Sequence, residues 1–306
     1  METVREANGR TQNDRVLDQL KRGVRYLDIR VAGSSSSSSS SSVFVYHGCL
    51  RGGTISSVLQ DVTDFVQNHP REVVIIEIVP EYGRAFHQNQ RRHTLALVQN
   101  TFGDENILTT SSCGGRHLST LSLEEIVEIL RKRVVVVVHP RMYECQGVDP
   151  SVVDQRYGYF QSGCVLRNQW HDTNHVATLL RKNLAQMLEA NPSPRSSPQL
   201  VVHQMVLTPQ ASSLADILQV ATGQNSLSVR HMAMTLYQEL AGFFHQHRDK
   251  HWNIVALDFV DLAPPTLLMF LIGLNFAAQS NRAVLSRTTK DGSQPSGDMR
   301  TIAMVS

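Results

Sequence analysis

Apolar runs separated by polar or glycine-rich turns recur along this chain and predict a series of β-strands. The strand-like runs are Val24–Val31, Val43–His47, Val73–Val79, Val134–His139, Leu200–Leu207 and Asn253–Phe259, with Cys164–Leu166 as a weaker seventh. Between the second and third runs, apolar residues from Ile55 to Val66 recur at three- and four-residue spacing, which predicts an amphipathic helix. Strands that alternate with helices predict an α/β fold, and a closed barrel of this kind needs eight strands.

Three segments lack this patterning. The nine serines Ser34–Ser42 bury no apolar surface and predict a disordered loop inside the fold. The Pro/Ser-rich stretch Pro192–Pro198 is short for a domain boundary, and the tail from Ser286 is rich in Ser, Thr, Asp and Gly. We therefore predict a single domain over residues 1–285 and a disordered tail over residues 286–306.

Composition narrows the class of protein. The chain has 306 residues, 41% of them hydrophobic, with a net charge of +2, so nothing in it calls for a nucleic acid partner. Four widely spaced cysteines predict neither a zinc site nor a disulfide framework. The N-terminus lacks the apolar core of a signal peptide, and the apolar segment Thr266–Ala278 is too short to span a bilayer. We expect a cytoplasmic monomer, at most peripheral on membranes.

Polar side chains stand near the ends of several apolar runs, where α/β barrels place their chemistry. Asp28 and Arg30 alternate on the first run, so both project to one face, and His47 ends the second run. Asp258 lies near the end of the last run, and Arg141 follows the five consecutive valines Val134–Val138. On spacing alone, a structural role fits each of these residues as well as a catalytic one.

Three ordered motifs make the chain resemble a known family. GVRYLDIR, then HG, then HPREVVIIEI are similar to the X domain of phosphatidylinositol-specific phospholipase C, particularly the small X-domain-only proteins. The resemblance is dense from Asp14 to Glu81 and resumes at QWHDTN and NIVALDFV. It implies a distorted TIM-type (β/α) barrel and a phosphoric diester hydrolase that cleaves the head-group phosphodiester of a glycerophospholipid at a membrane surface.

The resemblance also implies roles for individual residues. His47 stands where the family has its general acid, which protonates the diacylglycerol oxygen as the inositol 2-hydroxyl attacks phosphorus. Asp28 and Arg30 match the Asp-x-Arg pattern of bacterial-type enzymes, in which the guanidinium replaces calcium. Neither a metal nor another cofactor is therefore expected. Arg30 would bind phosphate oxygens, and Asp28 would orient Arg30 or His47.

The resemblance assigns roles to three further positions less closely. Asp258 matches the aspartate that pairs with the family's first histidine, while Arg141 and Trp170 lie where the family binds the inositol ring and its phosphate. Glu77 and Glu81 are candidates for the pocket rim without an assigned role. The cluster His171, Asp172 and His175 has no established metal-ligand spacing and predicts a polar loop.

One motif of the family is missing. Its first catalytic segment, of the form Pro-Gly-x-His-Asp, would precede Gly23, but the 22 residues before Gly23 contain no histidine. That histidine is the family's general base. We therefore expect a barrel that is incomplete at its N-terminal strand, in an apparently truncated sequence. The alternative is a catalytically inactive relative that binds lipid head groups. A glycerophosphodiesterase-like barrel is a third possibility, and it requires metal-binding carboxylates where Arg30 stands.

Overall fold

The computed structural model describes residues 9–33, 42–143, 157–189, 199–210, 228–250, 252–274 and 302–303. The predicted serine loop, except for Ser42, and the Pro192–Pro198 connection lie outside these residues. So does the predicted tail, except for residues 302–303.

Eleven strands are described, and the six clear apolar runs all form strands. The strands are β1 (Tyr26–Gly33), β2 (Val43–His47), β3 (Leu50–Thr54), β4 (Val74–Pro80), β5 (Ile107–Leu108), β6 (Val134–Val138), β7 (Phe160–Gln161), β8 (Leu166–Asn168), β9 (Leu200–Met205), β10 (Ile254–Leu257) and β11 (Ile302–Ala303). The weak seventh run is a helical turn at Ser162–Val165 that leads into β8.

The predicted helix between the second and third strand runs is present as α2 (Ile55–Asn68). The helices are α1 (Val16–Lys21), α2, α3 (Gln88–Asn106), α4 (Ser162–Val165), α5 (Val176–Glu189) and α6 (Val229–Gln246), with a further helical stretch over residues 265–274. Thr54 caps α2, because its side-chain oxygen accepts a hydrogen bond from the Ser57 N–H. Among the described residues, no helix is long and apolar enough to cross a membrane.

Two sheets carry the strands. The first has the order β3-β2-β1-β4-β6-β5, with β7 also paired to β6, and the second has the order β11-β10-β9-β8. β1, β4 and β6 run parallel, with Asp28 beside Glu77 and Glu77 beside Val137. Because parallel strands share one direction, their carboxyl ends meet at one edge, which we call the mouth.

The two faces of β1 enter different cores. Leu27, Ile29 and Val31 belong to a cluster that includes the buried residues of α2 and α6. Tyr26 belongs to a second cluster, which joins residues of both sheets, among them Ile75, Val135, Leu166, Val202 and Ile254. Because side chains alternate along a strand, Asp28 and Arg30 share the face of Tyr26 and project into the interior between the sheets.

This arrangement is a distorted α/β barrel, whose described strands form two separate sheets. Within the described residues, β1 pairs with β4 from Tyr26 onward on one side, whereas its pairing with β2 covers only Val31–Gly33. The other edge of β10 pairs with the two residues of β11. The predicted distorted α/β barrel is therefore confirmed, and its incompleteness at the N-terminal strand stays a prediction.

Candidate active site

β1 places a guanidinium and a carboxylate together in the interior. Arg30 Nη2 donates to Asp28 Oδ2 at 3.2 Å. The Asp28 side chain is 5% exposed and that of Arg30 is 40% exposed, so the carboxylate forms the floor and the guanidinium reaches solvent. The negative charge of Asp28 is the main reason that the pKa of Arg30 is raised further, so Arg30 is a permanent cation.

A polar layer lies deeper in the barrel and connects the two sheets. Tyr26 Oη donates to Glu77 Oε2, and Asn168 Nδ2 donates to the same oxygen at 3.2 Å. Gln204 Nε2 then donates to Asn168 Oδ1 at 2.6 Å. Tyr26 and Glu77 belong to the first sheet, whereas Asn168 and Gln204 belong to the second. Glu77, predicted at the pocket rim, is thus a buried member of this layer.

The environment of Glu77 favours its protonated form. Burial, followed by the negative charge of Asp28, raises the pKa of Glu77 from 4.5 to about 7. The hydrogen bonds from Tyr26 and Asn168 oppose this increase because they stabilise the carboxylate. Glu77 therefore gains and loses its proton near neutral pH.

Two carboxylate oxygens near Arg30 have no hydrogen-bond partner among the described residues. They are Asp28 Oδ1 and Glu81 Oε2, and both are buried. Glu81 follows β4, where its backbone N–H donates to the carbonyl of Val31 at 2.8 Å. A buried acceptor without a donor is costly, so these oxygens are suited to accept hydroxyl groups from a ligand.

Arg141 brings a second cation to the mouth. It lies in the short helical turn Pro140–Met142 that follows β6, and its Nη2 donates to the Pro80 carbonyl at 3.2 Å. Pro80 pairs with Val31, the residue after Arg30. The Arg141 carbonyl accepts a hydrogen bond from Arg91 Nη1 at 2.7 Å, which fixes the turn.

His47 lies at the exposed tip of the β2–β3 hairpin. Its Nδ1 is hydrogen-bonded to the Gly9 carbonyl oxygen at 3.1 Å. Gly48, with a φ of +56°, makes the turn. The Gly48 carbonyl accepts two hydrogen bonds from the Arg84 guanidinium, at 3.1 and 3.0 Å. No hydrogen bond or ion pair within the described part of the chain joins His47 to Asp28 or Arg30.

Asp258 is buried at the end of β10, and its carbonyl accepts a hydrogen bond from the Tyr237 hydroxyl. The segment 9–12 connects this strand end to His47. The Thr11 carbonyl accepts a hydrogen bond from the Phe259 N–H at 2.6 Å, and Gln12 Nε2 donates to the Leu257 carbonyl at 2.9 Å. Since Gly9 holds His47, the hairpin tip and the end of β10 are linked through one short segment.

Trp170 follows β8, and its side chain is exposed. Its Nε1 donates a hydrogen bond to Thr208 Oγ1 at 3.0 Å. His171, beside it, is buried, and its carbonyl accepts a hydrogen bond from Lys182. The described residues contain no group of three or more His, Cys, Asp or Glu side chains that could hold a metal ion.

The structure thus joins Asp28 to Arg30 directly and places Arg141 after β6, two strands from β1, where it bonds to Pro80 at the end of β4. In the described part of the chain, residues 9–12 connect His47 with the end of β10. The sequence reasoning missed Tyr26, Asn168 and Gln204, which complete the polar layer. Tyr26 could have been found from the sequence, because it alternates with Asp28 and Arg30 and all three therefore lie on one face of the strand.

Comparison with known proteins agrees with this architecture. Residues 3–139 match the family described as phosphatidylinositol-specific phospholipase C, X domain. PI-PLC X domain-containing protein 2 of Mus musculus is 24% identical over 254 residues, which cover 82% of this chain and 65% of that protein. PI-PLC X domain-containing protein 3 of Mus musculus is 24% identical over 273 residues, covering 89% of this chain and 75% of that protein. The chain thus spans slightly less than two thirds of the first relative.

Solved structures share the fold. Phosphatidylinositol-specific phospholipase C from Listeria monocytogenes superposes with a TM-score of 0.60 at 16% identity, covering 89% of this chain and 85% of that chain. A Staphylococcus aureus phosphatidylinositol-specific phospholipase C superposes with a TM-score of 0.56 at 15% identity, covering 85% and 81%. The distorted barrel is thus one that these bacterial enzymes also adopt. Residues 3–139 of this chain are thus similar to the phosphatidylinositol-specific phospholipase C X domain.

Proposed function

We propose that this chain is a phosphoric diester hydrolase of the phosphatidylinositol-specific phospholipase C type, with arginine in place of calcium. Its substrate is a glycerophospholipid with a polyol head group, and it acts as a cytoplasmic monomer on a membrane surface. The observation that carries the proposal is the Arg30 guanidinium, which Asp28 holds at 3.2 Å inside the mouth of an X-domain barrel.

Arg30 and Arg141 are the groups that bind the phosphodiester. A guanidinium offers several donors in a fixed plane to the non-bridging phosphate oxygens and neutralises the charge that develops in the transition state. Asp28 orients Arg30 and raises its pKa, so the cation persists at every physiological pH. The unpartnered oxygens of Asp28 and Glu81 accept hydroxyl groups of the head group.

His47 is the general acid. The Gly9 carbonyl accepts a hydrogen bond from Nδ1–H, which leaves Nε2 to carry the proton that the leaving oxygen of diacylglycerol receives. The inositol 2-hydroxyl attacks phosphorus as the bond to this oxygen breaks. His47 is exposed at the hairpin tip, so the bound lipid must bring the leaving oxygen to this edge of the mouth.

Exposed aromatic side chains at the mouth support contact with a membrane surface. Tyr82 follows β4 and is 82% exposed, and Trp170 follows β8 and is 57% exposed. Aromatic rings of this kind are favoured at the boundary between lipid and water. Both rings follow strands at their carboxyl ends, which is the end that carries Arg30.

A second function, head-group binding without turnover, is favoured by one observation. No histidine precedes His47 in the sequence, so the general base that deprotonates the 2-hydroxyl is not assigned to a residue. Loss of a positioned base costs a factor of about 10² to 10⁴ in rate. In this function, Arg30 and Arg141 bind the phosphodiester and the lipid leaves unchanged.

Release of water-soluble inositol phosphate from phosphatidylinositol vesicles separates the two functions. Residues 1–306 are compared with the same chain extended at its N-terminus by a Pro-Gly-x-His-Asp segment. The hydrolase proposal predicts low release by residues 1–306 and rapid release by the extended chain. His47→Ala should abolish most of this release, while the exposed control His93→Ala should not. If the extended chain binds the vesicles but releases nothing, head-group binding alone is the function.

A further inference from the structure

Glu77 lies beside the Asp28–Arg30 pair without taking part in the functions assigned above. Glu77 and Asp28 are register partners on adjacent parallel strands and face the same interior. Glu77 Oε2 already accepts hydrogen bonds from Tyr26 and Asn168. Asp28 Oδ2 is bonded to Arg30, while Asp28 Oδ1 is buried without a partner among the described residues. Arg30 is thus bonded to Asp28 and lies within the electrostatic influence of Glu81 and Glu77.

The charged groups around Glu77 come from one strand. Tyr26, Asp28 and Arg30 of β1 act on its carboxyl group, and the other contributing group is the neutral amide of Asn168 on β8. On β6, the register partner of Glu77 is the apolar Val137. The charge state of Glu77 therefore acts most directly on Asp28 and, through it, on Arg30.

We propose that Glu77 is a positioning residue that controls how much of the Arg30 charge is available to a phosphodiester. When Glu77 carries a proton, it adds no negative charge to the carboxyl groups of Asp28 and Glu81, which also act on Arg30. When Glu77 loses this proton, it adds a further negative charge, which competes with an incoming anion for the guanidinium. The inference rests on the proposed function insofar as Arg30 is the phosphate-binding group.

Proton loss from Glu77 should have two measurable consequences. First, the guanidinium of Arg30 should change its hydrogen bonding as Glu77 titrates, even without a ligand. Second, an anion bound at Arg30 should raise the pKa of Glu77, and by reciprocity the anion should bind more weakly once Glu77 is ionised. A shift of half a unit to one unit corresponds to about threefold to tenfold weaker binding.

The ligand-free experiment follows the ¹⁵Nε resonance of Arg30 by NMR between pH 5.5 and 8.5. In the wild type, this resonance should move with the same midpoint as the ¹³C carboxyl resonance of Glu77. In Glu77→Gln, which keeps the shape but not the charge, it should stay constant. Glu72→Gln is the matched control, because Glu72 pairs with Arg25, away from the Asp28–Arg30 pair. An Arg30 resonance that does not change while Glu77 titrates would overturn the inference.

The ligand experiment uses glycerophosphoinositol, a soluble phosphodiester whose charge is constant over this pH range. Its Kd should rise about threefold to tenfold from pH 6 to pH 8 in the wild type and in Glu72→Gln, but not in Glu77→Gln. His47→Gln should keep this rise, which separates the effect of Glu77 from an effect of the proposed general acid. If Arg30 responds to Glu77 but the probe binds at no pH, the proposed function fails and the positioning role stands. If the probe binds and Glu77→Gln keeps the wild-type pH dependence, the positioning role fails and the proposed function stands.

Discussion

Asp28 holds Arg30 through one carboxylate oxygen, at 3.2 Å from Nη2, and its other oxygen is buried without a partner in the described part of the chain. The ion pair therefore fixes the cation and leaves an acceptor beside it. A phosphodiester with neighbouring hydroxyl groups presents a matching anion and donors. This geometry is the physical basis for expecting a cation-dependent but metal-independent site.

Calcium should have no effect on head-group binding. Arg30 is a permanent cation, and a divalent ion placed beside it would be repelled. The affinity for glycerophosphoinositol, measured by titration calorimetry, should be the same with calcium and with chelator. Arg30→Asp, which adds a carboxylate beside Asp28, is the contrasting variant and should require calcium. A wild-type affinity that disappears on chelation would show that the cation is a metal rather than Arg30.

Glu77 should make the fold less stable as pH rises. Its pKa is raised from 4.5 to about 7 in the folded state, so the native chain binds more protons than the unfolded chain between these values. The stability conferred by the protonated form is present below pH 4.5 and is lost as pH rises through 7. Relative to Glu77→Gln, the wild type should lose about 3 kcal/mol of unfolding free energy between pH 4.5 and pH 8.

Urea unfolding at both pH values measures this difference. Glu72→Gln is a control in which stability should depend on pH in the opposite direction. The hydrogen bond between Glu72 and Arg25 lowers the pKa of Glu72, so the stability that Glu72 contributes is lost at acidic pH. Equal pH dependence in the wild type and Glu77→Gln would show that folding does not raise the pKa of Glu77.

His203 should make the chain sensitive to acid. It is fully buried on β9, lies edge-on to Trp252, and neither ring nitrogen has a partner among the described residues. Burial lowers the pKa of His203 from 6.5 to about 3, so the unfolded chain binds the proton more readily than the folded chain between these values. Stability is therefore lost as pH falls below 6.5.

His203→Leu removes the titrating group at similar volume. Between pH 7 and pH 4.5, the wild type should lose about 2 to 3 kcal/mol more unfolding free energy than this variant. The exposed His231→Leu on α6 should behave as the wild type does. The check is thermal or urea unfolding at the two pH values. An acid sensitivity that survives in His203→Leu would assign it to other groups.

The strands were predictable where apolar residues run without interruption. Val134–Val138 and Val74–Pro80 are buried along their whole length, so composition alone identifies them. β3 was missed, because Leu50–Thr54 is mostly exposed and contains two glycines, so no hydrophobic pattern indicates a strand. β5 and β7 have two residues each and are defined by their pairing with β6.

The site was predictable only within one strand. The alternation of Asp28 and Arg30 correctly indicated a shared face, because this follows from strand geometry. The contact from Asn168 to Glu77 joins positions that are 91 residues apart and lie in different sheets. Spacing along the chain carries no information on such a contact, so the polar layer required the structure. The convergence of His47 and Asp258 with Arg30 stays a prediction.

The most direct test of the account is the affinity of Arg30→Lys for glycerophosphoinositol at pH 6. Lysine keeps the charge but loses the planar set of donors, so we predict about tenfold weaker binding, or about 1.4 kcal/mol. Arg71→Lys is the matched control, because Arg71 is 86% exposed and pairs with Glu128, away from the mouth; it should bind as the wild type does. If Arg30→Lys binds the probe as tightly as the wild type, the guanidinium of Arg30 is not the group that recognises the phosphodiester, and the central claim is contradicted.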